Sequence, residues 1–220
     1  MKATAEKKPG RPPDDALRAS RTEQILQAAT ELFAKHGYAG TDTQVLAEKL
    51  GVGKGTIYRY FPSKEDLFLA TADRVMRQLR GRIDGCIKDV VDPLDQMAVA
   101  IRAYLGFFAE HPAYVELLIQ ERATFKDRKE PTYFEYCRAN VEPWLARYRA
   151  LIAQGRLRDM PVHRISDVLS DLCYGTMFTN YFTGHRKPFD VQAQDILDVV
   201  FHGILSDSER RAMVLRGDKR

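Results

Sequence analysis

Proline heads one helical stretch after another in this chain. Pro93, Pro112, Pro131, Pro161 and Pro188 stand at or before runs in which apolar residues return every three or four positions. The first turn of a helix is where a missing amide costs least. The runs cover about 94–109, 112–125, 131–154, 162–183 and 190–205, and the last can continue to 215. Pro143 falls inside the 131–154 run and either kinks it or divides it. No stretch alternates β-branched residues for long enough to make a sheet, so the fold class is all-α.

The front of the chain is organised on a finer scale. Residues 1–19 show no hydrophobic period and contain Lys7, Lys8, Pro9, Gly10, Arg11, Pro12 and Pro13. They read as a disordered basic arm, either laid along a DNA minor groove or serving as a solubilising tail. Order is expected from Ser20, which has Glu23 at capping-box spacing. Ile25, Ala28, Ala29, Leu32 and Phe33 then form one apolar stripe, and Gly37 supplies a stop. A short helix from about Asp42 to Lys49, with Val45 and Leu46 facing inward, is followed by the tight Leu50-Gly51-Val52 connection. A second short helix runs from about Gly53 to Tyr60 and ends at Phe61-Pro62. Ser63, with Asp66 at capping-box spacing, starts a long helix reaching about Gly85.

Charge separates the two ends. Residues 1–80 carry fourteen Lys and Arg against ten Asp and Glu, whereas 81–220 carry twenty of each. All the excess of the +4 net charge lies in the first third, which fits either a front that meets a polyanion or an ordinary surface. No stretch approaches eighteen apolar residues, and no apolar run follows the basic N-terminus, so neither a membrane span nor a secretory signal is expected. Three isolated cysteines, Cys86, Cys137 and Cys173, suit a reducing cytoplasm and offer no disulfide framework.

Two short helices joined by a glycine-containing turn, after a longer helix, are the arrangement that sets a recognition helix in a major groove. Lys54, Thr56, Tyr58, Arg59 and Tyr60 furnish charge and hydroxyls on that helix, and Gly55 lets backbone approach closely. Amides near residues 42, 54 and 64 can each receive a phosphate oxygen. Residues 37–69 go further and resemble the DNA-binding domain of the TetR/AcrR family of bacterial transcriptional regulators. The marks are Gly37-Tyr38, Thr41, Ala47, Gly51-Val52, Lys54-Gly55-Thr56-Ile57-Tyr58, Tyr60-Phe61, Ser63-Lys64-Glu65 and Leu67. One position departs: Gly53 stands where a serine or threonine cap is common, a small loss, since glycine also caps tolerably.

The resemblance implies a three-helix DNA-binding domain (20–66) fused through a long fourth helix to a helical effector-binding and dimerisation domain (67–220). It implies a homodimeric, ligand-responsive repressor on a palindromic operator, released by a small effector. By the same analogy Lys64 touches phosphate, Tyr58 and Arg59 grip the backbone, and Thr41 and Thr43 anchor the second helix. Gln44, Gly55, Thr56 and Tyr60 face base edges.

Residues 104–148 hold ten of the 22 aromatics. These either fill a large helical core or line a cavity for an apolar or aromatic effector. The family analogy puts such a cavity among helices four to eight. The aromatic candidates are Phe107, Phe125, Tyr133, Tyr136, Trp144, Tyr174 and Phe178, and the polar anchors are His111, Gln120, Glu121, Arg138 and Asn140. The last two helices carry apolar stripes: Leu169, Leu172, Cys173 and Met177 on one, Ile196, Val199, Val200 and Ile204 on the other. These form a dimer surface or pack on their own body.

Enzyme readings fail. Gly51–Thr56 imitates a phosphate-binding loop, but Glu48 stands where its first glycine belongs and Gly55 where Ser or Thr must follow the lysine. His36, His111, His163, His185 and His202 show no metal-ligand spacing. No catalytic residue, metal or cofactor is expected.

Overall fold

The computed structural model describes residues 14–184 and 187–202. The Arg11 arm, His185, Ile204 and any helix beyond 202 lie outside the described residues. Secondary structure among the described residues is helical. α1 spans Asp14–Gly40, α2 Thr43–Lys49, α3 Lys54–Tyr60, α4 Lys64–Ile87 and α5 Pro93–Glu110. α6 spans Pro112–Thr124, α7 Thr132–Ala139, α8 Glu142–Ala153, α9 Val162–Thr183 and α10 Phe189–His202. None of these helices is long and apolar enough to cross a membrane. Contacts divide the chain into a head, up to Val75 together with Glu116–Tyr133, and a body, Met76–Val115 together with the residues from Phe134 onward. The head thus extends past residue 66 and takes in a piece of chain from beyond α5.

In the head, α1 begins at Asp14, so residues 14–19 are helical and not part of a disordered arm, and Ser20 is interior, not a cap. Acidic Asp15 suits a first helical turn, and Ala16-Leu17-Arg18 are good helix formers. Gly37, at φ 73, breaks the regular helix where a stop was expected. Ile25, Ala29 and Phe33 of α1, Leu46 and Ala47 of α2, Ile57 of α3, and Leu67 and Phe68 of α4 are buried. Phe33 and Phe68 meet edge to face at 4.9 Å. Val45 is 49% exposed, contrary to expectation, because Leu46 and Ala47 take the inward face of a seven-residue helix. Arg74 of α4, almost wholly buried, pairs with Glu23 of α1 at 2.6 Å.

In the body, α9 packs on α5 and α8, and α10 on α5. Gly106 allows the last contact: a Cβ there would lie 3.1 Å from the Phe189 ring. Asn180 of α9 and Gln192 of α10 exchange amide hydrogen bonds, both 2.8 Å. Pro143 divides the expected 131–154 run into α7 and α8 and lies in the first turn of the latter.

Part of the expected dimer stripe is engaged within the single chain. Leu169, Cys173 and Met177 on α9 and Ile196 on α10 are buried within the single chain, and Tyr104 donates to Met177 Sδ at 3.5 Å. Burial pushes the Cys173 thiol up to about 12. Leu172 and Val200 are half-buried and Val199 is exposed. The apolar residues left outside on α9 are Val168, 50% exposed, and Phe182, 67% exposed. With Leu172, exposed Gly175 and Thr179 they fall on one helical stripe.

Candidate nucleic-acid interface

The site begins with a cap. Asp42 precedes α2, and its Oδ1 accepts from the Gln44 amide at 2.8 Å. The same oxygen accepts from Lys54 Nζ, the first residue of α3, at 3.3 Å. The Gln44 amide, then Lys54, hold the Asp42 carboxyl below its ordinary range. One carboxylate thus links the start of α2 to the start of α3. A second link joins Thr43 Oγ1 and Tyr58 Oη at 3.1 Å. α3 is therefore fixed on α2 through side chains at both its ends, which a helix of seven residues needs.

What α3 turns outward is basic and polar. Lys54, Gly55, Tyr58 and Arg59 are exposed, while Thr56 and Tyr60 are half-buried. Arg59 lies 5.7 Å from the Tyr60 ring centroid. At Gly55 an added Cβ would meet nothing within 4 Å, so the fold does not itself call for glycine there. Its absence of side chain leaves the α3 backbone bare. At Gly53 the cap makes no side-chain hydrogen bond, as the substitution implies. Gln44 is exposed, with its Nε2 on Glu48 at 2.9 Å.

Three expected contacts need separate accounts. Thr43 is buried, with its hydroxyl on Tyr58, and anchors α2 from inside. Thr41, expected to anchor the second helix, is buried, and its hydroxyl donates to the Gly37 carbonyl at 2.7 Å and reaches that of Leu32 at 3.2 Å. It secures the end of α1 beside the Thr41 amide, which donates to the same Gly37 carbonyl at 3.1 Å. Lys64 opens α4 behind the Ser63 cap, where the Asp66 amide donates to Ser63 Oγ at 2.9 Å and Ser63 Oγ donates to Asp66 Oδ2 at 2.7 Å. Its Nζ donates to the Ala39 carbonyl at 3.3 Å and lies 4.8 Å from the Tyr38 ring centroid.

The expected effector residues fall in both units of the chain. Gln120, Glu121, Phe125 and Tyr133 group with the head, and the other eight with the body. The Phe125 ring lies 5.0 Å from that of Tyr38 and 5.6 Å from that of Phe68. Glu121 is buried, and its Oε1 accepts from Arg128 Nη1, the Thr132 amide and Thr132 Oγ1. That pairing offsets the cost of a buried charge. Tyr133 is buried on α7, and the Gln120 side chain donates to Glu116. In the body, Phe107 is buried, with the His111 and Tyr114 rings at 5.3 and 5.5 Å, while His111 itself is exposed. Tyr174 stands between Phe134 and Phe178, at 5.1 and 4.6 Å. Burial raises its phenol above the ordinary value, with Cys137 adding to the rise. Trp144 carries Arg147 over its ring at 4.8 Å. Asn140 donates to the Tyr136 carbonyl, and Arg138 is exposed.

Sequence reasoning took Tyr38 as a motif mark and not as a working residue. Arg128 and Thr132 were missed because nothing in their spacing links a turn residue to a carboxylate on the preceding helix.

Comparison with known proteins bears on the head first. Residues 25–71 match the family of bacterial regulatory proteins, tetR family. An uncharacterised HTH-type transcriptional regulator, YerO of Bacillus subtilis, is 24% identical over 178 residues, covering 80% of this chain and 60% of the relative. Another, MT1294 of Mycobacterium tuberculosis, is 37% identical over 103 residues, covering 45% and 51%. The chain thus spans between half and two thirds of the length of these curated relatives. Among solved structures, FadR of Bacillus subtilis in complex with stearoyl-CoA superposes with a TM-score of 0.69 at 20% identity. That likeness covers 83% of this chain and 99% of the other, and it shows the fold. All three are named as regulators and not as enzymes.

Proposed function

The chain belongs to the tetR family of bacterial regulatory proteins, and on that premise we propose that it is a cytoplasmic, ligand-responsive repressor that binds a palindromic operator as a homodimer. The observation that carries the reading is the pinned recognition helix. The Asp42–Lys54 and Thr43–Tyr58 links hold α3 on α2 while Lys54, Gly55, Tyr58 and Arg59 remain outside. Lys54, Arg59 and Lys64 neutralise phosphates, Tyr58 adds a backbone contact, and Gln44, Thr56 and Tyr60 meet base edges around the bare backbone of Gly55.

Two half-sites of a palindrome lie about 34–36 Å apart, so a reader of both requires two heads. The second copy joins through the outer stripe of α9, with Val168, Leu172, Gly175 and Phe182, and through Val199 of α10. Exposed apolar residues at helical spacing support that surface. The effector is apolar or aromatic and is held by the aromatic side chains of the body. Since FadR was solved with stearoyl-CoA, that thioester is the first probe to try. An effector with about 1.4 kcal/mol of preference for the non-binding form weakens DNA binding tenfold.

Selection of randomised duplexes by the purified chain at physiological salt tests the reading. Enrichment of one palindrome is the expected result and supplies the operator. Retention without enrichment would replace the repressor with a general duplex binder, and no retention even at low salt would remove DNA binding itself.

A further inference from the structure

The stretch 116–133 follows α5 in sequence, yet its contacts place it with the DNA-binding head. Phe125, in the turn after α6, meets two head rings, Tyr38 at 5.0 Å and Phe68 at 5.6 Å. Tyr38 and Phe68 meet each other at 5.5 Å. The three rings close a triangle in which Tyr38 packs against both of the others. The Lys64 ammonium lies 4.8 Å from the centroid of the Tyr38 ring. One aromatic contact therefore separates Phe125 from the cation that opens α4.

Lys64 needs such a support. It is the first residue of α4, where the helix dipole disfavours positive charge. A lysine stem also gives up more rotamer freedom than most side chains when it is fixed. The holding partners are the Tyr38 ring and the Ala39 carbonyl, both at the end of α1. Phe125 is itself held. Its amide donates to the Glu121 carbonyl at 2.9 Å, and its carbonyl accepts from the Arg128 amide at 3.1 Å. The Glu121 carboxylate then ties in Thr132 through two hydrogen bonds of 2.8 Å and Arg128 through one of 2.7 Å. The turn is laced to its own helix and presents one ring to the head.

We infer that Tyr38 and Phe125 are positioning residues for Lys64: the Phe125 ring fixes Tyr38, and Tyr38 sets the Lys64 ammonium where it meets an operator phosphate. Phe125 touches no nucleic acid in this scheme. It acts by removing in advance the freedom that the lysine would otherwise lose on binding. The inference rests on Lys64 being a phosphate contact, as read above, and makes the 116–133 stretch part of the DNA-binding apparatus.

A double-mutant cycle on the full chain, with the selected operator as probe, tests it. Lys64→Ala should weaken operator binding and lower the salt slope by about one unit, one phosphate contact. Phe125→Leu keeps an apolar side chain but loses the ring. It should weaken binding about three- to tenfold, within the rotamer freedom of one lysine. In the Lys64→Ala background, Phe125→Leu should weaken binding no further. Its effect on the melting temperature should be equal in both backgrounds, since packing does not depend on the lysine. Tyr38→Phe, which keeps the ring, should bind as wild type, while Tyr38→Leu should behave as Phe125→Leu. Equal losses from Phe125→Leu in both backgrounds would overturn the positioning role alone. A Lys64→Ala variant with unchanged affinity and salt slope would overturn the phosphate contact and the positioning role together.

Discussion

The α2–α3 pair and the outer face of α9 differ in what they leave exposed and in how it is held. In α2–α3 the polar side chains are committed to short, named links: Asp42 to the Gln44 amide and Lys54, and Thr43 to Tyr58. What remains outside is a small basic set of fixed geometry. On α9 the outward face sets apolar Val168 and Phe182, with bare Gly175 between them, among polar Asp167, Asp171 and Thr179. Charge and capping chemistry declare their role locally. An apolar stripe takes its role from packing.

The comparison is broken most severely from inside. Phe33→Ala removes a fully buried ring that meets Phe68. It should cost about 3–5 kcal/mol, seen in chemical denaturation followed by circular dichroism. On α9 the two faces should separate cleanly. Met177→Ala, at a buried position with a Tyr104 contact, should cost about 2–5 kcal/mol. Val168→Asp should leave the melt within about 0.5 kcal/mol while shifting sedimentation from dimer to monomer. Unchanged sedimentation would place the dimer surface elsewhere.

On the DNA-facing side, Lys54→Ala should lower the salt slope of operator binding by about one unit, with affinity falling similarly on all sequences. A change confined to certain operator positions would make Lys54 a base contact. The smallest effect belongs to Asp42. Its carboxyl is depressed in the folded chain, chiefly by the Gln44 amide and then by Lys54. Its stabilisation is therefore complete above the ordinary aspartate value of about 3.8 and fades as pH falls through the lower folded value. Asp42→Asn, which still caps, should flatten the acid end of the pH–stability profile. An identical profile would mean that the cap and not the charge is what matters.

Much of the head was legible because its signals are local. Gly37, Asp42, Gly51 and Ser63 are punctuation that acts within four residues, and each is found where its chemistry places it. The misreadings in the head are equally physical. Val45 and Leu46 are adjacent and similarly apolar, and in a helix of two turns the periodicity cannot say which one faces the core. Ser20 and Glu23 have capping-box spacing, but α1 already begins at Asp14 and leaves Ser20 interior. In the body, Leu169, Cys173 and Met177 were correctly seen to share a face, and that face was covered by the chain itself.

The sequence by itself determined the helical class, the boundaries of the short helices and the basic face of α3. Periodicity, caps and prolines act over a few residues and need no partner. Only the tertiary structure decided which apolar face of α9 is covered, that Phe125 belongs to the head, and that Tyr38 carries Lys64. Those facts depend on residues tens of positions apart meeting, and nothing in a local pattern encodes which distant surface arrives.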